Sequence, residues 1–268
     1  MSLTAIGAII FVGLLASFEF GIRLRTWLRR FEGVAEDTPD HLLAAVLGLL
    51  ALLLGFTFSL GLNRYEARRL LVVEEANALG TVWLRTDLLA EPTRSAMQAD
   101  LRRYIDARVK WSETEAAEQS WRAAQALQTR VWNDVRAVEA PRPGAHLTRA
   151  IIDSVNESFD LASARYAARA DHLPERVLTI LLLYMALSAV MMGYVMAGKG
   201  KAHRLATAQL LALLMLAMIL ILDLDRPRSG GIQVRQTPLE ELRASVARDE
   251  LPVIASGRTR RSQGWGST

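Results

Sequence analysis

The chain has 268 residues, 51% of them hydrophobic, a net charge of +4 and no cysteine. The missing cysteine excludes disulfides, thiolate zinc sites and a cysteine nucleophile. The charge is modest, acids are interleaved with the arginines, and no basic patch carries interleaved aromatics, so nucleic acid is not an expected partner.

The hydrophobic residues are unevenly placed. Four blocks are long enough to cross a bilayer, which takes about 20 apolar residues: Thr4 to Phe20, Leu42 to Leu62, Val177 to Met196 and Leu205 to Leu222. The last three contain no charged residue. The first reads as a span rather than a signal peptide, because its start lacks a basic region and no small-x-small cleavage site precedes Arg23 and Arg25. Glu19 has Arg23 four residues on, which suits a local ion pair better than catalysis.

Between Leu42 and Leu89 there is no proline, although the chain turns from apolar to charged at Arg64. One helix is therefore expected to run from the second span into water, over roughly 70 Å at 1.5 Å per residue. At 100° per residue, Gly48, Leu52, Gly55, Ser59, Leu62 and Glu66 share a stripe that continues through Leu70, Val73, Asn77 and Gly80, while Phe56, Thr57 and Phe58 point elsewhere. The stripe is small or polar at several positions. Two readings fit it: close packing of membrane helices, which small residues permit, and a pore wall. Arg64, Glu66, Arg68, Arg69, Glu74 and Glu75 read as solvated or paired at helical spacing.

The polar segment after the second span is rich in Ala, Glu, Arg, Leu and Gln, all good helix formers. Helices are expected near 64–89, 92–111, 112–139 and 146–172. The breaks are Glu91-Pro92, a capping box at Ser112 to Glu115, the loop Pro141 to Gly144, and Leu173-Pro174. Leu127, Val131, Val135 and Val138 recur at helical spacing in one helix, and Ile151, Val155 and Phe159 in another. No alternating strand pattern appears. The expected fold is all-α: residues 1–62 hold spans one and two, 63–175 a helical aqueous domain continuing span two, 176–224 spans three and four, and 225–268 a polar tail. That tail has a short helix over 238–248 and a Gly-, Ser- and Arg-rich end beyond Gly257.

Two stretches carry a family resemblance. One runs Phe56-Thr57-Phe58-Ser59, then Arg64-Tyr65-Glu66-Ala67-Arg68-Arg69, then Val73 to Thr81; the other is Leu222-Asp223-Leu224-Asp225-Arg226-Pro227-Arg228-Ser229-Gly230. They resemble the bestrophin-like membrane proteins of bacteria, with likeness from the second span to about Leu242. The resemblance implies four spans, an intervening helical domain and a homo-oligomer, a pentamer in bestrophins, around a pore lined by span two. It makes Gly55, Ser59, Asn63, Glu66 and Asn77 pore-lining candidates, and Asp223, Asp225, Arg226 and Pro227 signature residues at the membrane exit. It also implies an ion channel with inorganic ions as permeants; anion preference is inherited from bestrophins, whereas Glu66 on the stripe favours cations.

This chain departs from calcium-controlled bestrophins in lacking a run of acids after the fourth span. Asp223 and Asp225 are few against calcium's six to eight oxygen ligands, so backbone or arginine hydrogen bonds suit them better, with Pro227 stopping the helix. No metal or cofactor is expected. The chain has no HExxH, no Gly-rich phosphate loop and no GxSxG, so an enzyme is not expected either. The alternative to a channel is a non-conducting membrane scaffold or sensor that recruits partners through its helical domain. The expected location is a bacterial inner membrane. Arg23, Arg25, Arg29, Arg30, Lys199, Lys201 and Arg204 near the two short loops point to one orientation. The Arg-rich tail and the bestrophin resemblance point to the other, with the helical domain cytoplasmic, which is the reading adopted.

Overall fold

The structure is a computed structural model that describes residues 2–30, 40–113, 117–138, 145–198, 204–226 and 230–249. Among them there are helices and no strands. In chain order they are α1 (Leu3–Leu28), α2 (Asp40–Thr86), α3 (Thr93–Glu113), α4 (Ala117–Val138), α5 (Ala145–Ala170), α6 (Glu175–Gly198), α7 (Arg204–Asp225) and α8 (Thr237–Ala247). The chain divides into two compact units, Met1–Glu66 with Asp171–Val234, and Ala67–Ala170 with Arg235–Thr268. α2 is one helix without a break at Leu62, and contributes its first part to the first unit and its second part to the other.

In the first unit, α1, α6, α7 and the apolar part of α2 pack around Leu14, Leu50, Met185, Leu211 and Met218. The unit is also apolar on its outside. Ile9, Val12, Leu183, Leu187, Leu213 and Leu216 are each more than half exposed, on three different helices. Water would penalise that surface at about 25 cal/mol per Å²; bilayer hydrocarbon does not. Among the described residues four helices are long and apolar enough to cross a membrane, and the chain is an integral membrane protein.

α1 and α6 cross at two glycines. A Cβ on Gly21 would overlap the Val190 carbonyl, and one on Gly193 would overlap the Phe18 carbonyl. The two backbones touch because neither residue has a side chain, a close approach that membrane helices use widely.

α1 does not end with its apolar block. It continues through the charged stretch to Leu28, since nothing there breaks a helix. Arg25 is 1% exposed, its Nη1 donates to the Tyr194 carbonyl at 3.1 Å, and its guanidinium lies 5.1 Å from the centre of the Tyr194 ring. The expected Glu19–Arg23 pair is present at 3.7 Å.

In the second unit the inward stripes are those of the sequence. Val131, Val135, Ile151 and Val155 are buried, and Leu127, Val138 and Phe159 lie at the edge of the core. The capping box expected at Ser112 would start a helix there, and the helix starts later. Ser112 lies inside the last turn of α3, which runs to Glu113, and α4 starts only at Ala117. Trp111 explains the extension: it is 2% exposed and packs with Trp121 and Ala162, so the turn carrying it stays helical. Glu115 of that box, the 141–144 loop, Lys199, Lys201 and the end beyond Gly257 lie outside the described residues.

Candidate functional site

The α2 stripe is a surface of the first unit. Gly48, Leu52, Gly55, Ser59, Leu62 and Asn63 are exposed and Glu66 is half-buried. A Cβ placed on Gly48 or Gly55 would meet nothing within 4 Å, whereas one on Gly61 would meet the Leu224 Cβ at 3.5 Å. Close packing within the chain therefore explains Gly61, and it does not explain Gly48 or Gly55. The helix instead packs inward through Leu50, Leu54 and Thr57, with the Thr57 hydroxyl donating back to the Leu53 carbonyl at 2.8 Å. Phe58 packs on the core. Phe56 is 63% exposed, so the free surface of α2 is wider than the small-residue stripe. Further along, in the second unit, Val73 and Asn77 are half-buried and Gly80 is buried.

The membrane-exit signature closes the end of α7. Acids in the last turn of a helix face its negative dipole end, so Asp223 and Asp225 need donors, and backbone supplies them. The Asp223 carboxylate accepts the N–H groups of Gly231 at 2.7 Å and Ile232 at 3.1 Å. A Cβ on Gly230 would overlap that carboxylate, so a side chain there would displace it. The Asp225 carboxylate accepts the Leu173 N–H at 2.7 Å and lies 3.5 Å from His172 Nδ1. The neighbouring Asp171 pairs with Arg64 of α2 at 3.0 Å. Together these bonds tie the segment entering α6 and the segment leaving α7 to one point. Arg226 is half-buried, and its backbone N–H donates to the Asp223 carbonyl at 3.2 Å. Pro227 lies outside the described residues.

The second unit contains a buried ionic cluster that the sequence reading missed. Glu75 was expected to be solvated or paired along its own helix. It is 0% exposed, and its partners are Arg108, 33 residues away, and Arg165, 90 residues away. Arg108 donates through Nε and, at 3.2 Å, through Nη2; Arg165 donates through Nη1 and also reaches Gln236 Oε1 at 2.7 Å. Two guanidiniums thus share one carboxylate.

The surplus positive charge lies over aromatic faces. The Arg108 guanidinium is 4.5 Å from the centre of the Trp111 ring and 5.3 Å from that of Trp121, and Arg165 is 5.3 Å from Trp111. Such contacts are worth about 2 kcal/mol or more when desolvated. Burial by itself would raise the Glu75 carboxyl's pKa, but Arg165 and Arg108 outweigh it and hold the group below its ordinary value. Burial pushes the nearby Tyr104 hydroxyl up, which keeps it neutral. The signal was present in the sequence: Glu75 falls in phase with the buried Val72, Ala76, Leu79 and Val82, on the apolar side of α2.

The sequence matches the family described as Bestrophin-like domain over residues 9–239. No curated protein sequence matches the chain. Among solved structures, three single-substitution variants of a bacterial bestrophin homolog from Klebsiella pneumoniae are similar to it. The first has a TM-score of 0.67 at 14% identity, with 90% of this chain and 95% of that one covered. The second has a TM-score of 0.66 at 13% identity, with 90% and 97% covered, and the third 0.65 at 14% identity with the same coverage. At that identity the likeness concerns the fold alone. With its exposed α2 stripe, its acid-clasped exit from α7 and a family match across nearly its whole length, the chain belongs to the bestrophin-like family.

Proposed function

We propose that copies of this chain assemble around a common axis into an ion channel, with the Gly55, Ser59, Asn63 and Glu66 face of α2 lining the conduit and Asn77 continuing it. One observation carries this reading. The exposed faces of α6 and α7 present large apolar side chains such as Leu183, Leu187, Leu213 and Leu216, as lipid requires, whereas the α2 stripe, beside its exposed Leu52 and Leu62, carries Gly48 and Gly55 with nothing within 4 Å, a hydroxyl, an amide and a half-buried carboxylate. Water and ions suit those groups better than acyl chains do. The family membership supports the same reading, as does the likeness to bestrophin homologues.

Bestrophin kinship favours anions and a pentamer. A ring of Glu66 carboxylates favours cations, so selectivity is decided at that position. The proposed location is a bacterial inner membrane, with residues 67–170 on the cytoplasmic side.

Purified protein in a planar bilayer is expected to conduct. Ser59→Trp is expected to lower single-channel conductance by about tenfold or more, because a bulky ring replaces a hydroxyl where the conduit is lined. Glu66→Gln is expected to move the reversal potential in a salt gradient toward the anion. A native protein that carries no current in any salt, while keeping its oligomeric mass, would replace the channel with the scaffold reading.

A further inference from the structure

α1 and α7 run antiparallel, since Gly7 packs beside Met215 and Ile219 while Phe18 and Glu19 line one groove with Arg204 and Ala208. That groove has a volume of about 480 Å³, within the range of small-molecule sites. Its wall is apolar through Val12, Leu15, Phe18 and Ala208, and it carries two charges of opposite sign, Glu19 and Arg204.

The groove opens on the lipid-facing side of the first unit, where Val12 is 63% exposed. Its charges mark a level near the membrane surface. Arg204 is the first residue of α7, Leu205 beside it is 89% exposed, and on α1 Phe20 and Trp27 are more than half exposed, as aromatic residues at an interface often are. Glu19 retains free capacity: its pairing with Arg23 is long at 3.7 Å, and its side chain is 41% exposed.

From these features we infer that the α1–α7 groove binds a phospholipid whose head group carries a primary ammonium, of the phosphatidylethanolamine type. The acyl chain lies along Val12, Leu15 and Phe18. The phosphodiester sits on the Arg204 guanidinium, whose planar donors suit phosphate oxygens. The ammonium donates to Glu19. This arrangement discriminates between head groups. A choline group has no N–H to donate to the carboxylate, and a glycerol head group leaves the lipid anionic with nothing to offset Glu19. The inference is independent of whether the protein conducts.

The test is native mass spectrometry of the delipidated full chain in detergent, titrated separately with dioleoyl phosphatidylethanolamine, phosphatidylcholine and phosphatidylglycerol. Only the ethanolamine head group donates a hydrogen bond to the carboxylate, so that lipid is expected to be retained at about tenfold lower concentration than the choline lipid. Glu19→Gln is expected to reduce that preference to about twofold or less, because the carboxylate's charge is gone. Arg204→Gln is expected to weaken retention of all three lipids, and Arg204→Lys to restore part of it. Equal retention of the ethanolamine and choline lipids by the native chain overturns the inference. So does a preference for the glycerol lipid, or a Glu19→Gln protein that keeps the native preference. The comparison on the native chain decides the matter even if a variant does not fold.

Discussion

Replacement of Glu75 by glutamine is expected to cost about 3–5 kcal/mol of stability, the range for breaking a buried ion pair by removing one partner. Arg108 and Arg165 would be left in the core of the second unit without a counter-charge, and Arg108 is 0% exposed. The neighbouring Glu74→Gln is the control. Glu74 is exposed, so the change should stay within about 0.5 kcal/mol, as surface substitutions do. Trp111 and Trp121 pack against the cluster, so a denaturant melt followed by tryptophan fluorescence reads the effect where it arises. Equal stabilities for the two variants would mean that the cluster does not hold the unit together.

The same cluster sets a pH response. Glu75 lies beyond the apolar stretch that ends at Leu62, and its carboxyl titrates below its ordinary 4.5 in the folded protein. A lowered folded pKa gives stability that is complete above the unfolded value and is lost as pH falls through the folded one. The native protein is therefore expected to lose stability progressively from about pH 4.5 downward. The Glu75→Gln protein, lacking the group, should show a shallower acid limb in the same melts. Matching acid limbs would assign the response to other carboxylates.

The second large effect is expected at the α1–α6 crossing. Gly193→Ala adds one methyl group where the Phe18 carbonyl already stands. The obstacle is backbone and has no rotamer to escape into, so the cost should reach or exceed the upper end of the 1–3 kcal/mol typical of overpacking, at about 3 kcal/mol. Gly21→Ala, facing the Val190 carbonyl, should behave alike. Gly13→Ala in the same α1 meets nothing within 4 Å and should be neutral or stabilising by about 0.5–1 kcal/mol, because alanine is the better helix former. Thermal melting in detergent separates these outcomes, and three equal melting temperatures would show that the crossing does not depend on its glycines.

Composition and periodicity alone determined that this chain is all-helical and membrane-spanning. Charge-free apolar runs such as Leu42 to Leu62 have few other stable solvents, and a backbone in hydrocarbon has to satisfy itself within each helix. The absence of proline between Leu42 and Leu89 likewise determined that α2 continues past Leu62, because helices end at identifiable breakers and none is there.

The partners of the charged residues needed the tertiary structure. Sequence spacing describes neighbours three or four residues apart, so it found Glu19 with Arg23 but left Glu75 either solvated or paired along its own helix. The cluster exists because α2, α3 and α5 meet in the second unit, bringing Arg108 and Arg165 to one carboxylate. The two meanings of glycine were also separated only by packing. Gly21 and Gly193 are helix contacts, while a Cβ on Gly48 or Gly55 in α2 would meet nothing within 4 Å among the described residues. A helical repeat tells which residues share a face, and only the neighbouring helices decide which face is covered.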